Sequence, residues 1–270
     1  IGLGGLGCRA VNEIKATSNE KLENPERRLF LCMDTCKTDL NSISVATEKD
    51  VEVGGEAENF IHGCIVNSEK CILFPENPVN INTIRRGVES WFDVDQFRNR
   101  ILLDPSDAGG IRQIGRLALY VRYKPTYDKI EAVIREALRI HQGLPAYDRA
   151  AGKIKVYIIA GLSGGTGSGT IVDVSYMVRK AMYGNGLQFF HLEGVLFTPD
   201  VQENDQGIRG GAGACNAIRE YHKRNFYAAI KEIDYFYNNL ARKKQYESLI
   251  GDQSDAYKQD IFDACTLISR

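Results

Sequence analysis

The stretch Ser163-Gly164-Gly165-Thr166-Gly167-Ser168-Gly169-Thr170 lies between an apolar run, Ile154–Gly161, and an apolar-periodic segment, Ile171–Val178. A glycine cluster in that setting reads as strand, loop, helix, and it constrains the chain more than any other feature. Glycines carry no Cβ, so the backbone can curl tightly and turn successive N–H groups toward an anion. The helix that follows adds its unsatisfied N–H groups and the positive end of its dipole. Thr166 and Ser168 bring hydroxyls that can donate to phosphate oxygens. A flexible Gly/Ser linker is the competing reading, but linkers are not normally wedged between a β-branched strand and a good helix. No Gly-Lys-Ser/Thr follows, so the lysine-bearing phosphate loop is excluded. A cradle without lysine must neutralise charge with backbone dipoles and a metal ion.

A chain of 270 residues with 43% hydrophobic content has enough apolar material for a sizeable core. Its formal net charge of −1 gives no field to attract nucleic acid or an anionic membrane. No apolar run approaches the roughly 20 residues that span a bilayer. The opening Ile1-Gly2-Leu3-Gly4 has neither the charged nor the apolar region of a secretory leader, and it begins inside a motif, as if the first strand were clipped. Seven cysteines, an odd number, sit in apolar contexts such as Leu31-Cys32-Met33 and Ala264-Cys265-Thr266. They read as reduced core thiols of a cytoplasmic protein. Cys32, Cys36, His62, Cys64 and Cys71 invite comparison with a zinc site, but their spacing is wider than the usual knuckle and no second paired knuckle appears. No metal site built from the chain's own side chains is assigned.

Short β-branched or aromatic runs predict strands at Leu29–Met33, Lys155–Gly161, Phe189–Phe197 and Ile233–Tyr237. Helical periodicity predicts helices at Cys8–Ser18, Arg112–Tyr123, Thr126–His141, Gly167–Tyr183, Ala212–Ile230 and Ala256–Ser269. Thr47–Asn82, polar and glycine-bearing, fits neither pattern. The alternation predicts an α/β fold with a doubly wound, mostly parallel, Rossmann-like sheet.

A second glycine motif, Gly2-Leu3-Gly4-Gly5-Leu6-Gly7, satisfies the dinucleotide pattern Gly-x-Gly-x-x-Gly, and Asp34 sits at the end of the next strand where a ribose-binding acid is expected. Taken alone these residues suggest an NAD(P)-dependent oxidoreductase or an ATP-using adenylating enzyme.

Two further segments tip the balance. Asp107-Ala108-Gly109-Gly110-Ile111-Arg112-Gln113-Ile114-Gly115-Arg116 again joins a glycine turn to a helix, and Phe197-Thr198-Pro199-Asp200-Val201-Gln202-Glu203 follows a strand. Three glycine loops directed at one pocket fit a triphosphate better than a dinucleotide. The Ser163–Thr170 loop closely resembles the Gly-Gly-Gly-Thr-Gly-Ser-Gly signature of the tubulin/FtsZ family of GTPases, with Ser163 in place of its first glycine. Ala108, Gly109, Gly115 and Arg116 match that family's loop to the terminal phosphate. Pro199 and Glu203 keep the spacing of its sugar-binding loop. Gly5-Leu6-Gly7-Cys8-Arg9-Ala10-Val11 is similar to its first phosphate loop, with Arg9 replacing an asparagine.

The resemblance implies a site for GTP/GDP with Mg²⁺ formed by Gly4, Gly5, Gly7, Cys8, Asp34, Thr35, Ala108, Gly109, Gly110, Ser163, Gly164, Gly165, Thr166, Gly167, Ser168, Thr198 and Glu203. For the base it implies Asn239, beyond the strand Ile233–Tyr237, and Tyr257 and Asp260 at the start of a long central helix. Packing and capping are the plainer readings of Tyr257 and Asp260, as strand-end capping is of Asp34. The resemblance further implies a GTP-binding domain over residues 1–254, the start of the central helix over 255–270, and no activation domain within the chain. It implies self-association head to tail into filaments, with hydrolysis completed by a neighbouring subunit. No catalytic residue is assigned, Asp34 and Asp107 being the nearest carboxylates. A GTP-binding scaffold that does not polymerise is the alternative within the same family.

Overall fold

Period-two alternation along the strands decides how the layers stack. The computed structural model describes residues 1–21, 23–43, 67–73, 85, 87–97, 107–205, 212–238 and 260–270. In chain order these contain β1 (Gly2–Leu3), α1 (Gly4–Lys21), β2 (Cys32–Asp34), α2 (Lys37–Ser42), β3 (Lys70–Ile72), α3 (Arg112–Val121) and α4 (Tyr123–Gly143). There follow α5 (Ala146–Ala151), β4 (Ile154–Gly161), α6 (Thr166–Gly184), β5 (Phe190–Phe197), α7 (Pro199–Asp205), α8 (Ala212–Asn238) and β6 (Ala264–Ile268). The strands form one sheet in the order β3-β2-β1-β4-β5-β6. Every neighbouring pair is parallel, with Gly2 beside Cys32 and Ile159, and Ile154 beside Phe190.

Alternate residues face opposite sides of a strand. Leu31, Met33, Ile158, Ala160, Leu192 and Leu196 pack with residues of α3, α4, α6 and α8 in one cluster. Cys32 and Ile159, with partly buried Val195 and Phe197, pack with Cys8 and Val11 of α1 and Leu40 of α2 in the other. The sheet is therefore covered by helices on both faces, as the strand–helix alternation predicts. Helix α6 is buried on nearly every side, including Ile171, Val174, Tyr176, Val178 and Met182, which is why its sequence reads as apolar rather than amphipathic.

Two expected elements take another form among the described residues. Ile233–Tyr237 is not a strand; it is the last part of α8, which runs unbroken from Ala212 to Asn238. Phe226, Ala229, Ile230, Ile233 and Tyr237 recur at three and four residues and all meet the core, a helical period that a five-residue window reads as a β run. The helix expected over Ala256–Ser269 is replaced at its C-terminal part by strand β6, with Glu193 beside Ala264 and Phe197 beside Ile268. Sheet pairing at the open edge of β5 outweighs the weak helical pattern of Ala-Cys-Thr-Leu-Ile. β2 lies at Cys32–Asp34, slightly beyond the expected run, and β3 comes from the segment that fitted neither pattern.

Candidate functional site

In an open parallel sheet, the loops that follow the strands gather at one edge, and the crevice forms where the strand order reverses. Here that point lies between β1 and β4, whose connections leave in opposite directions. Gly4 and Gly5 follow β1, Asp34 ends β2, and Gly164–Gly167 follow β4. All of them, with Gly109 and Gly110 ahead of α3, line one cleft of about 910 Å³.

Each loop is shaped by a local rule. Ala108-Gly109-Gly110-Ile111 is a tight turn closed by Ile111 N–H donating to Ala108 O at 2.9 Å. Its two central residues have φ of 55° and 78°, which glycine adopts without strain. A Cβ on Gly7 would collide with Ile159 O, so this glycine lets α1 lie directly on β4 rather than touching a ligand. Gly165 has an ordinary helical φ of −75°. Its need for glycine is spatial: a Cβ there would lie 2.8 Å from Ile111 N and 2.9 Å from Ala108 Cβ. The third loop is thus pressed against the second.

Hydroxyls and amides tie the loops together. Thr35 Oγ1 accepts from Ala108 N–H at 3.1 Å and lies 2.7 Å from Thr166 Oγ1. One buried side chain therefore joins the ends of β2, the turn before α3 and the start of α6. The Ser168 hydroxyl donates to Gly164 O within its own loop. The Cys8 thiol points to Gly2 O and Met33 O beneath the cleft. Ala108 and Ser163 are also buried. Cys8, Ala108, Ser163 and Ser168 are outside the cleft lining; they support its loops.

Asp34 is 3% exposed, and its Oδ1 accepts from the N–H groups of Thr35 at 2.7 Å and Cys36 at 3.3 Å. Its Oδ2 is buried without a hydrogen-bond partner. Burial pushes this carboxyl up to about 6, against the backbone donor of Cys36 and the hydroxyl of Thr166, which hold it down. Asp39 and Asp107 also line the cleft, and Arg9 is a cation on the same wall. A polyphosphate entering among three carboxylates requires a divalent cation, and an unsatisfied carboxylate oxygen is the donor type Mg²⁺ takes. The residues present fit a polyphosphate held together with a divalent cation. Among the described residues no three His, Cys, Asp or Glu side chains cluster as a metal site; Cys8, Cys32, Cys36, Cys71 and Cys265 are free thiols. His62 and Cys64 lie outside the described residues.

The opposite wall went unread in the sequence. Ala217, Ile218, Tyr221 and His222 of α8 and Gln202 of α7 line it. Gln202 is 5% exposed, with Oε1 unpartnered and packed against Gly161 and Gly164. Burial pulls His222 below its ordinary pKa, so it is neutral at neutral pH. Glu203, the expected sugar-loop acid, instead pairs with Arg219 at 3.2 Å and is not in the lining. Thr198 is held to the end of β6, its N–H donating to Ile268 O at 3.0 Å. Gln202 was legible in principle as part of the strand–loop segment, whereas the α8 residues carry no motif at all.

Of the residues expected to read the base, only Asp260 falls within the described residues. Asn239 and Tyr257 lie outside the described residues, and Asn238 is the last residue of α8. Asp260 is exposed in the segment before β6. Because β6 is parallel to its neighbours, that segment enters from the sheet end away from the cleft, so Asp260 is not at the site.

Over residues 1–270 the chain matches a protein family described as "Tubulin like". Among solved structures it is similar to CetZ1 from Haloferax volcanii, a GDP-bound monomer, at 12% identity and a TM-score of 0.39. That match covers 85% of this chain and 45% of the other, so the chain spans less than half of that protein's length. No curated protein matches it. No helix among the described residues is long and apolar enough to cross a membrane.

Proposed function

The chain belongs to the tubulin-like family, and on that premise we propose that it is a GTP-binding, GTP-hydrolysing cytoplasmic protein that polymerises head to tail. The observation that carries the reading is the convergence of three glycine loops and Asp34 on one cleft at the strand ends. Backbone N–H groups of Gly164–Gly167 and the N-terminus of α6 hold the phosphate chain. Gly109 and Gly110 approach from the far side, and Arg9 adds positive charge where a lysine is lacking. Asp34 Oδ2 would hold a Mg²⁺ ion, and Asp39 and Asp107 would add negative charge that favours the cation there. The bound cation would neutralise charge developing on the transferred phosphoryl group. Thr35 keeps the three loops in register through Ala108 and Thr166.

Gln202 and neutral His222, hydrogen-bonding groups without charge, face the nucleoside. Hydrolysis is completed at the contact between subunits, a heterologous interface that propagates into open filaments. Titrating the chain with GTP, ATP and NADH, with and without Mg²⁺, tests the class. Saturable, Mg²⁺-dependent GTP binding is expected; tight NADH binding with no response to GTP ends the reading. Turnover is expected near background at low protein concentration. The specific rate is expected to rise with protein concentration, together with light scattering. A concentration-independent rate would place the whole catalytic site within one subunit, and a flat scattering trace would favour a scaffold that does not polymerise.

A further inference from the structure

Gly110 O and Ser163 O belong to two different glycine loops, and a single side chain holds both. Asn225 of α8 is 8% exposed, and its Nδ2 donates to Gly110 O at 2.8 Å and to Ser163 O at 2.8 Å. Two carbonyl acceptors select the amide nitrogen, and both of its hydrogens are used. One turn earlier on the same helix face, the Tyr221 hydroxyl donates to Gly110 O at 3.0 Å.

We propose that Asn225 is a positioning residue for the phosphate cradle: it fixes the spacing of the two loops and aims the Gly164 N–H into the cleft. This rests on the nucleotide reading given above. The argument is geometric. In a trans peptide the C=O and N–H point in opposite directions. With Ser163 C=O drawn toward α8, the N–H of the same peptide unit, that of Gly164, is turned the other way, and Gly164 lines the cleft. Gly110 C=O is drawn to the same amide, so the tight turn before α3 cannot swing away from the third loop. The loops already touch at Gly165, whose missing Cβ leaves room for Ile111 N and Ala108. Contact at Gly165 keeps them from approaching further, and Asn225 keeps them from separating. Asparagine is specific here: leucine lacks the donors, and aspartate would set a negative acceptor against two carbonyls and beside a phosphate chain.

The test compares the affinities of GTP, GDP and guanosine for the full chain and for Asn225→Asp and Asn225→Ala. The ligands share the nucleoside and differ in what the cradle holds. A cradle-positioning role predicts that GTP and GDP affinities fall about 10- to 50-fold in Asn225→Asp, from two lost hydrogen bonds. Guanosine affinity should stay within about twofold, and Asn225→Ala should show the same pattern with a smaller loss. If guanosine and GTP weaken together, or neither changes in the folded variants, Asn225 has only a general structural role and the inference fails. Absence of guanine-nucleotide binding by the unmodified chain would instead sink the functional reading on which it rests.

Discussion

On the sheet side the cleft is lined by glycine loops, at Gly4, Gly5 and Gly164–Gly167, with Arg9 and the carboxylates of Asp34, Asp39 and Asp107 beside them. On the α8 side it is lined by the side chains of Ile218, Tyr221 and His222, joined by Gln202 of α7. The sheet side depends on atoms that are missing: a Cβ at Gly165 would strike the neighbouring loop. The α8 side depends on atoms that are present, such as the Asn225 amide that grips both loops. Substitution should therefore fail abruptly on the first side and by degrees on the second.

The abrupt case is Gly165→Val. Because Gly165 is already helical in φ, the valine is excluded by the Ile111 and Ala108 atoms beyond it rather than by its own backbone. GTP affinity is expected to drop more than about 100-fold, as overpacking by roughly 1–3 kcal/mol adds to a displaced cradle. Calorimetric titration of a folded variant that still binds GTP normally would erase the contrast between the two walls.

Asp34→Asn comes next, and it acts through pH. Burial sets the folded carboxyl at about 6, above its ordinary value of 3.8. Protonation therefore stabilises the nucleotide-free fold fully below about pH 3.8, and that contribution is lost as pH rises through about 6. The asparagine variant has no such loss. Without nucleotide or Mg²⁺ it is expected to exceed the parent chain in stability at pH 7.5 by up to about 3 kcal/mol. The gap should narrow at pH 5, while Mg²⁺-dependent GTP binding weakens. Urea midpoints at the two pH values check this, and a gap independent of pH would remove the buried-carboxylate explanation.

Gln202→Leu and Glu203→Gln sharpen the comparison from within one short helix. Gln202 lines the cleft, whereas Glu203 is engaged by Arg219. The first is expected to weaken GTP about fivefold, and the second to leave affinity within about twofold. The reverse ranking would restore Glu203 as the sugar-loop residue. Between those two falls Tyr221→Phe, which removes one hydrogen bond from a half-exposed side chain and should cost about two- to threefold in GTP affinity.

The legible half of the site and the illegible half follow the same division. Glycine loops between strand and helix announce themselves, because tight turns and close approaches accept few other residues. Hence Gly4, Gly5, Gly109, Gly110 and Gly164–Gly167 were readable, together with Asp34 at its strand end. Tyr221 and Asn225 sit inside a long helix whose periodic pattern any polar residue would satisfy, and nothing local marks which carbonyls they will reach. Ile233–Tyr237 and Ala264–Ile268 were misread for a related reason: short apolar runs suit either state until a neighbouring strand edge or a core surface chooses one.

The sequence by itself determined the alternation of strands and helices, the absence of a lysine-bearing loop, and the glycine turns that line the cleft. These are properties of local backbone sterics and of side-chain period, and they survive without knowledge of neighbours. Only the tertiary structure decided that β6 joins the edge of β5, that α8 runs through Asn238, and that Thr35 and Asn225 bind loops from distant parts of the chain. Hydrogen bonds spanning 73, 115 and 62 residues of sequence separation carry the last of these. Such bonds exist only after the sheet has brought its loops to one edge.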